Sequence, residues 1–78
     1  MSMKYITYDD FESILWTKVN AAPGDWRRGQ AVFNVIDEVW GVARDVQFID
    51  GVDCFYNDSL INEFIACAWK RIEERYNN

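Results

Sequence analysis

Residues 42–56 read VARDVQFIDGVDCFY, and the fold class turns on how that stretch is read. β-Branched and aromatic residues flank Asp50-Gly51, a dipeptide that favours tight turns, and this is the sequence pattern of a β-hairpin. Two registers compete. A two-residue turn at Asp50-Gly51 pairs Ile49 with Val52 and leaves both faces of the ribbon mixed. A three-residue loop, Ile49-Asp50-Gly51, puts Gly51 in the left-handed conformation of a G1 bulge and pairs Phe48 with Val52. Val46, Phe48, Val52, Cys54 and Tyr56 then share an inner face, with Asp45, Gln47 and Asp53 on the outer one. A one-residue slip turns every side chain to the opposite face, so the cleaner alternation selects the second register. It leaves Phe55 on the outer face and Ile49 at the loop.

Upstream, RRGQAVFNVIDEVW (residues 27–40) predicts a helix that begins after Asp25, its N-cap, and runs to Trp40. Gly29, Val32, Phe33, Val35, Ile36, Val39 and Trp40 cover nearly half its circumference, the mark of a central helix packed on more than one neighbour. Gly29 lies inside that arc, where another backbone can approach closely, and Gly41 stands where a helix is closed. Arg27 and Arg28 sit at the end where the helix dipole disfavours positive charge, which points to a partner for them. A salt bridge to nearby acids is the plainer of the two accounts. An earlier helix starts at Thr7, with Asp10 completing a capping box and Ile6 and Phe11 forming a hydrophobic staple. Its stripe is Phe11, Ile14, Leu15, Val19 and Ala22, and Pro23-Gly24 ends it. Trp16 lies roughly 120° from that stripe. A last helix follows the capping cluster Asn57-Asp58-Ser59 and carries Leu60, Ile61, Phe64, Ile65, Ala68, Trp69, Ile72 and Tyr76. The expected fold is a single small α+β domain over residues 1–78, in the order α-α-β-β-α, with a three-helix cluster packed against a two-stranded antiparallel hairpin. Residues 1–5 carry no apolar run like that of a signal peptide, and residues 76–78 are expected to fray.

Composition narrows the function classes. Thirteen acidic against eight basic residues give a net charge of −5, opposite to the basic surface of a phosphate-backbone binder. Such a balance suits a basic protein partner, or simply solubility. The chain has no histidine, and so lacks the commonest general base and metal ligand. Cys54 and Cys67 form no CxxC pair and read as small buried hydrophobes in a reducing, cytoplasmic setting. No run reaches membrane-spanning length. Neighbouring acids such as Asp9-Asp10, Asp37-Glu38 and Glu73-Glu74 diverge by about 100° on a helix and do not converge on a shared proton or ion. Asp50-Gly51-Val52-Asp53 lacks the ligand count of a calcium loop. No catalytic residue, metal site or cofactor is expected.

Protein binding remains the leading expectation. The partner is another protein with a basic surface, and a homodimer is a further expectation. Asp9, Asp10, Asp45 and Asp53 are the candidate acidic contacts, Trp16 and Phe55 candidate aromatic anchors together with Trp26 and Trp69, and Arg27 and Arg28 the arginines in want of a partner. The alternative is a winged-helix-like nucleic-acid binder, with the hairpin as wing and Arg27, Arg28 and Arg44 on phosphate. The acidic balance and the outer-face acids Asp45 and Asp53 weigh against nucleic acid. A self-associating structural component is a third reading.

WRRGQAVFNVIDEVWGVARDVQFIDGVDCFYND, with the apolar helix behind it, resembles short uncharacterised proteins encoded by bacteriophages and mobile elements of gut bacteria. The likeness spans roughly residues 26–72 and rests on wording rather than a diagnostic motif, so it carries no site residues across. It implies an accessory viral protein in the host cytoplasm. Small acidic phage proteins often block a host nucleic-acid-handling or defence machine, and anti-CRISPR inhibitors are one such group.

Overall fold

The computed structural model of the chain describes residues 6–76. Helix α1 spans Tyr8–Asn20 and α2 spans Arg28–Trp40. A short α3, Ala43–Asp45, runs directly into a π-helical turn, Val46–Asp50, and a 3-10 turn, Asp58–Leu60, leads into α4, Ile61–Tyr76. No β-strand occurs among the described residues. The α+β class, the α-α-β-β-α order and the two-stranded hairpin are therefore corrected to an all-helical fold. The expectations for residues 1–5 and 77–78 fall outside the described residues.

The correction has a physical cause in residues 42–50. Val42, Ala43 and Val46 are fully buried, whereas Phe48 is 76% exposed and Ile49 69% exposed. Burial at 42, 43 and 46 has a helical period, and the alternation needed for a strand fails at Phe48. Ala43, Asp45 and Asp50 are poor strand formers. A two-stranded ribbon is marginal alone, while a helical turn satisfies its backbone locally. Gly51 does adopt the left-handed conformation, at φ 73°, but as a helix cap: its N–H donates to the Val46 carbonyl. Val52 N–H reaches the same carbonyl at 3.2 Å. The chain then continues through Val52 and Cys54, both buried, and leaves Tyr56 75% exposed.

The expected start of α1 is present in full. Asp10 N–H donates to Thr7 Oγ1 at 3.1 Å, and Thr7 N–H donates to Asp10 Oδ2 at 3.4 Å. Ile6 and Phe11, the two staple positions, are both buried. Phe11, in the first half of α1, packs on Trp40 at the end of α2 with ring centroids 4.9 Å apart, so the two helices run antiparallel. Helix α4 runs alongside α2 in the same direction. Phe64 near its start packs on Phe33 at 5.5 Å, and Arg75 near its end donates to the Trp40 carbonyl at 3.2 Å. Trp69 closes the third side against Phe11 at 5.3 Å. Helix α2 touches α1, α3 and α4, as its wide apolar arc requires. Each of its large side chains taken out of water contributes roughly 1.5–3 kcal/mol.

Asp25 does not cap α2. The N-cap is Arg27, whose side chain makes no capping bond. The cap comes from a distant residue: Gly29 N–H donates to Asp58 Oδ1 at 3.0 Å. Asn57 is the residue that caps locally, accepting from Ser59 N–H at 3.0 Å. Gly41, at φ 71°, closes α2 as expected.

Candidate functional site

Two regions gather the residues singled out in the sequence. The first is the N-terminal end of α2, against which residues 54–58 are folded. Gly29 is buried there, and a methyl group at its Cα would overlap the Cys54 carbonyl oxygen and stand 2.7 Å from Asp58 Oδ1. Cys54 Sγ–H donates back to the Gly29 carbonyl at 3.3 Å. Burial pushes the Cys54 thiol up to about 12, with Asp53 adding to the effect, so the sulfur is a packed S–H rather than a nucleophile.

Arg27 and Arg28 find their partners at this end. Arg27 Nη2 donates to the Phe55 carbonyl at 2.7 Å, and its Nε stands 3.9 Å from Asp58 Oδ1. The Arg28 guanidinium lies 4.7 Å above the Trp16 ring, a cation–π contact worth about 0.5–1 kcal/mol at an exposed position. Phe55 packs edge-on against Phe33 at 5.5 Å. Arg27, Arg28, Trp16 and Phe55 therefore sit at one end of the molecule and are held mainly by intramolecular contacts. Trp16, Trp26, Phe55 and Trp69 are all half-buried against the core.

The remaining acidic candidates lie elsewhere. Asp9 and Asp10 open α1, where Asp10 serves the capping box. Asp45 and Asp53 flank the π turn. Asp53 Oδ2 accepts from Gln47 Nε2 at 2.9 Å, and its Oδ1 accepts from Phe55 N–H at 2.9 Å. The segment expected as a nucleic-acid-binding wing is this helical turn and the irregular chain behind it.

The π turn forms the second region. Phe48 and Ile49 are adjacent on it and project into solvent. The backbone beneath them is pinned on three sides. Val46 and Val52 are buried, Gly51 caps the turn, and Arg71 of α4 grips Asp50 through Nε at 3.0 Å and Nη2 at 2.9 Å. The Arg71 guanidinium holds the Asp50 carboxyl below the usual carboxylate range. Between the turn and α4 lies an open cleft of about 420 Å³, lined by Asp50, Val52, Glu63, Cys67, Lys70 and Arg71 among others. Its lining mixes acids (Asp50, Glu63, Glu74) with bases (Lys70, Arg71), which leaves no large excess of one charge for an ionic ligand. No group of three His, Cys, Asp or Glu side chains able to hold a metal ion occurs among the described residues.

Sequence reasoning missed the Phe48–Ile49 pair and the Asp50–Arg71 pair. The signal for the first was present in part: Arg44 and Phe48 are four residues apart, on the face opposite Val42, Ala43 and Val46, and both are exposed. The second links residues 21 apart across a packing that no local pattern encodes. No described helix is long and apolar enough to cross a membrane. No family model, no curated protein and no solved structure matches this chain.

Proposed function

We propose that this chain works without catalysis, by binding another protein through the surface that carries Phe48 and Ile49. One observation carries the proposal: two adjacent large apolar side chains, 76% and 69% exposed, stand on a turn fixed from below. Apolar side chains in water gain free energy when covered, and a pre-ordered backbone loses little entropy on binding. Asp45 and Asp53 beside the turn, and a net charge of −5, favour a partner whose apolar pocket has a basic rim. The likeness to phage and mobile-element proteins extends the proposal to a host factor of the nucleic-acid-handling or defence class.

The test is a pull-down from host lysate with the wild type and with Phe48→Asp, at low and high salt. The proposal requires a captured protein that is lost with Phe48→Asp and weakened by salt. Capture indifferent to Phe48→Asp, or no capture at either salt, overturns it.

A further inference from the structure

We propose that Asp50-Gly51 is a latent site of spontaneous aspartyl isomerisation, and that Arg71 of α4 keeps it closed in the folded protein. This chemistry belongs to the π turn itself and is independent of whether Phe48 and Ile49 bind a partner.

Asp50-Gly51 is the one Asp-Gly pair in the chain, and no Asn-Gly pair occurs. A glycine after the aspartate leaves the attacking amide nitrogen unhindered, because no Cβ stands beside it. Both residues are exposed, and nothing lies within 4 Å of the position a Gly51 Cβ would take. Water and room for a small ring are therefore both present. In the reaction Gly51 N bonds to Asp50 Cγ, and the amide hydrogen leaves with the carboxyl OH as a water molecule. Water then adds to either carbonyl of the cyclic imide. Breaking the bond from Gly51 N to Cγ restores aspartate. Breaking the bond from Gly51 N to the main-chain carbonyl carbon of Asp50 gives isoaspartate. One water leaves and one returns, so no oxidant, reductant or other reactant is needed.

The folded turn opposes both halves of the ring closure. Gly51 N–H donates to the Val46 carbonyl, so the nucleophile is engaged. Both oxygens of the electrophile are held, Oδ2 by Arg71 Nε at 3.0 Å and Oδ1 by Arg71 Nη2 at 2.9 Å. Ring closure must expel one of these oxygens, and a bidentate guanidinium fixes the two of them together. The same contact keeps the carboxyl ionised, and a carboxylate is a poorer electrophile than the neutral acid. Arg71 is anchored independently of the turn, on α4 beside the buried Ile72. Isomerisation would carry the main chain through Asp50 Cβ and Cγ, one carbon longer, and leave a free carboxylate on Cα. Gly51 N–H would lose its register with Val46, and the support beneath Phe48 and Ile49 would go with it.

Ageing of the full chain at neutral pH and physiological temperature tests the proposal. Isoaspartate is measured with an isoaspartyl-specific methyltransferase and placed at residue 50 by peptide fragmentation. The chain in concentrated guanidinium chloride gives the unprotected rate. The native wild type should isomerise at least about tenfold more slowly than that, because only its opened turn reacts. Arg71→Ala should raise the native rate roughly fivefold, the weight of a well-formed surface ion pair. Val19→Ala, a small cavity in α1, lowers stability without touching the pair. Compared at equal folded fraction, it should isomerise more slowly than Arg71→Ala. A wild type that ages as fast folded as denatured, a denatured chain that forms no isoaspartate at residue 50, or an Arg71→Ala rate equal to the wild type overturns the proposal. So does a Val19→Ala rate as high as that of Arg71→Ala, which would make global unfolding the route.

Discussion

Replacing Gly29 by alanine sets helix propensity against packing, and the two predict opposite signs. In an exposed helix interior the change gains about 1 kcal/mol. Here the new methyl would overlap the Cys54 carbonyl oxygen, stand 2.7 Å from Asp58 Oδ1 and 3.2 Å from the Cys54 carbonyl carbon. Two of those three atoms are backbone, so the 54–58 segment must move as a whole. Overpacking of this kind costs roughly 1–3 kcal/mol. Displacing Asp58 also breaks its bond from Gly29 N–H, a cap worth about 1–2 kcal/mol. The balance is a destabilisation of about 1–4 kcal/mol, or a fall of about 1–4 M in the urea midpoint at a slope near 1 kcal/mol/M. Equilibrium urea unfolding followed by tryptophan fluorescence and far-UV circular dichroism measures it. Gly24→Ala is the control, because nothing lies within 4 Å of its new methyl, and its midpoint should stay level or rise slightly. Asp58→Ala should cost about 1–2 kcal/mol in the wild type and less beside Gly29→Ala, since the two share one contact. A Gly29→Ala protein as stable as the wild type would show that residues 54–58 do not press on α2.

Further expected outcomes can be read from the same unfolding curves. Phe48→Ser should stay within about 0.5 kcal/mol of the wild type, as an exposed residue does, where a buried hairpin Phe would cost about 3–5 kcal/mol. Gly51→Ala should lose about 1–2 kcal/mol, because Gly51 holds φ 73° and a Cβ is strained there. The Asp50 carboxyl is held low by Arg71, so its contribution is present above an unfolded value near ~3.9 and is lost as pH falls through the folded value. Asp50→Asn should therefore flatten the acid limb of the stability profile, and an unchanged limb would exclude the pair as its source. Cys54, with its folded value raised to about 12, contributes fully below about pH 9 and loses that contribution as pH rises toward the folded value. Its thiol should resist alkylation near pH 8 until urea unfolds the chain, and rapid labelling of the native protein would contradict its packing.

Much of the fold was legible where one local rule acted alone. The start of α1 needed only Thr7, Asp10, Ile6 and Phe11, all within one turn. The central place of α2 followed from the width of its apolar arc, and the close approach at Gly29 from a glycine lying inside that arc. The cap of α2 was not legible, because Asp58 comes from 29 residues away and sits in a cluster that reads as the start of α4. Arg27 and Arg28, at the unfavourable end of the helix dipole, find contacts within the chain. Those partners, the Phe55 carbonyl with Asp58 and the Trp16 ring, depend on how α1, α2 and the 54–58 segment pack.

Residues 42–56 misled because Gly51 satisfies two structures at once. A left-handed glycine closes a G1-bulge loop and also caps a helical turn, so the turn signal carried no information about which structure it ended. Only the burial period separates the two, and in a short run that period is ambiguous. Phe48 and Tyr56 go inside because the three-residue loop gives the cleaner alternation of apolar and polar residues. That preference assumes that the segment is a strand. The structure breaks that alternation, and a helix-period pattern with Phe48 and Ile49 exposed is what remains. Phe48 and Tyr56, both placed on the inner face of the hairpin, are 76% and 75% exposed, so the strand alternation fails at the two large aromatic positions that it needed to bury.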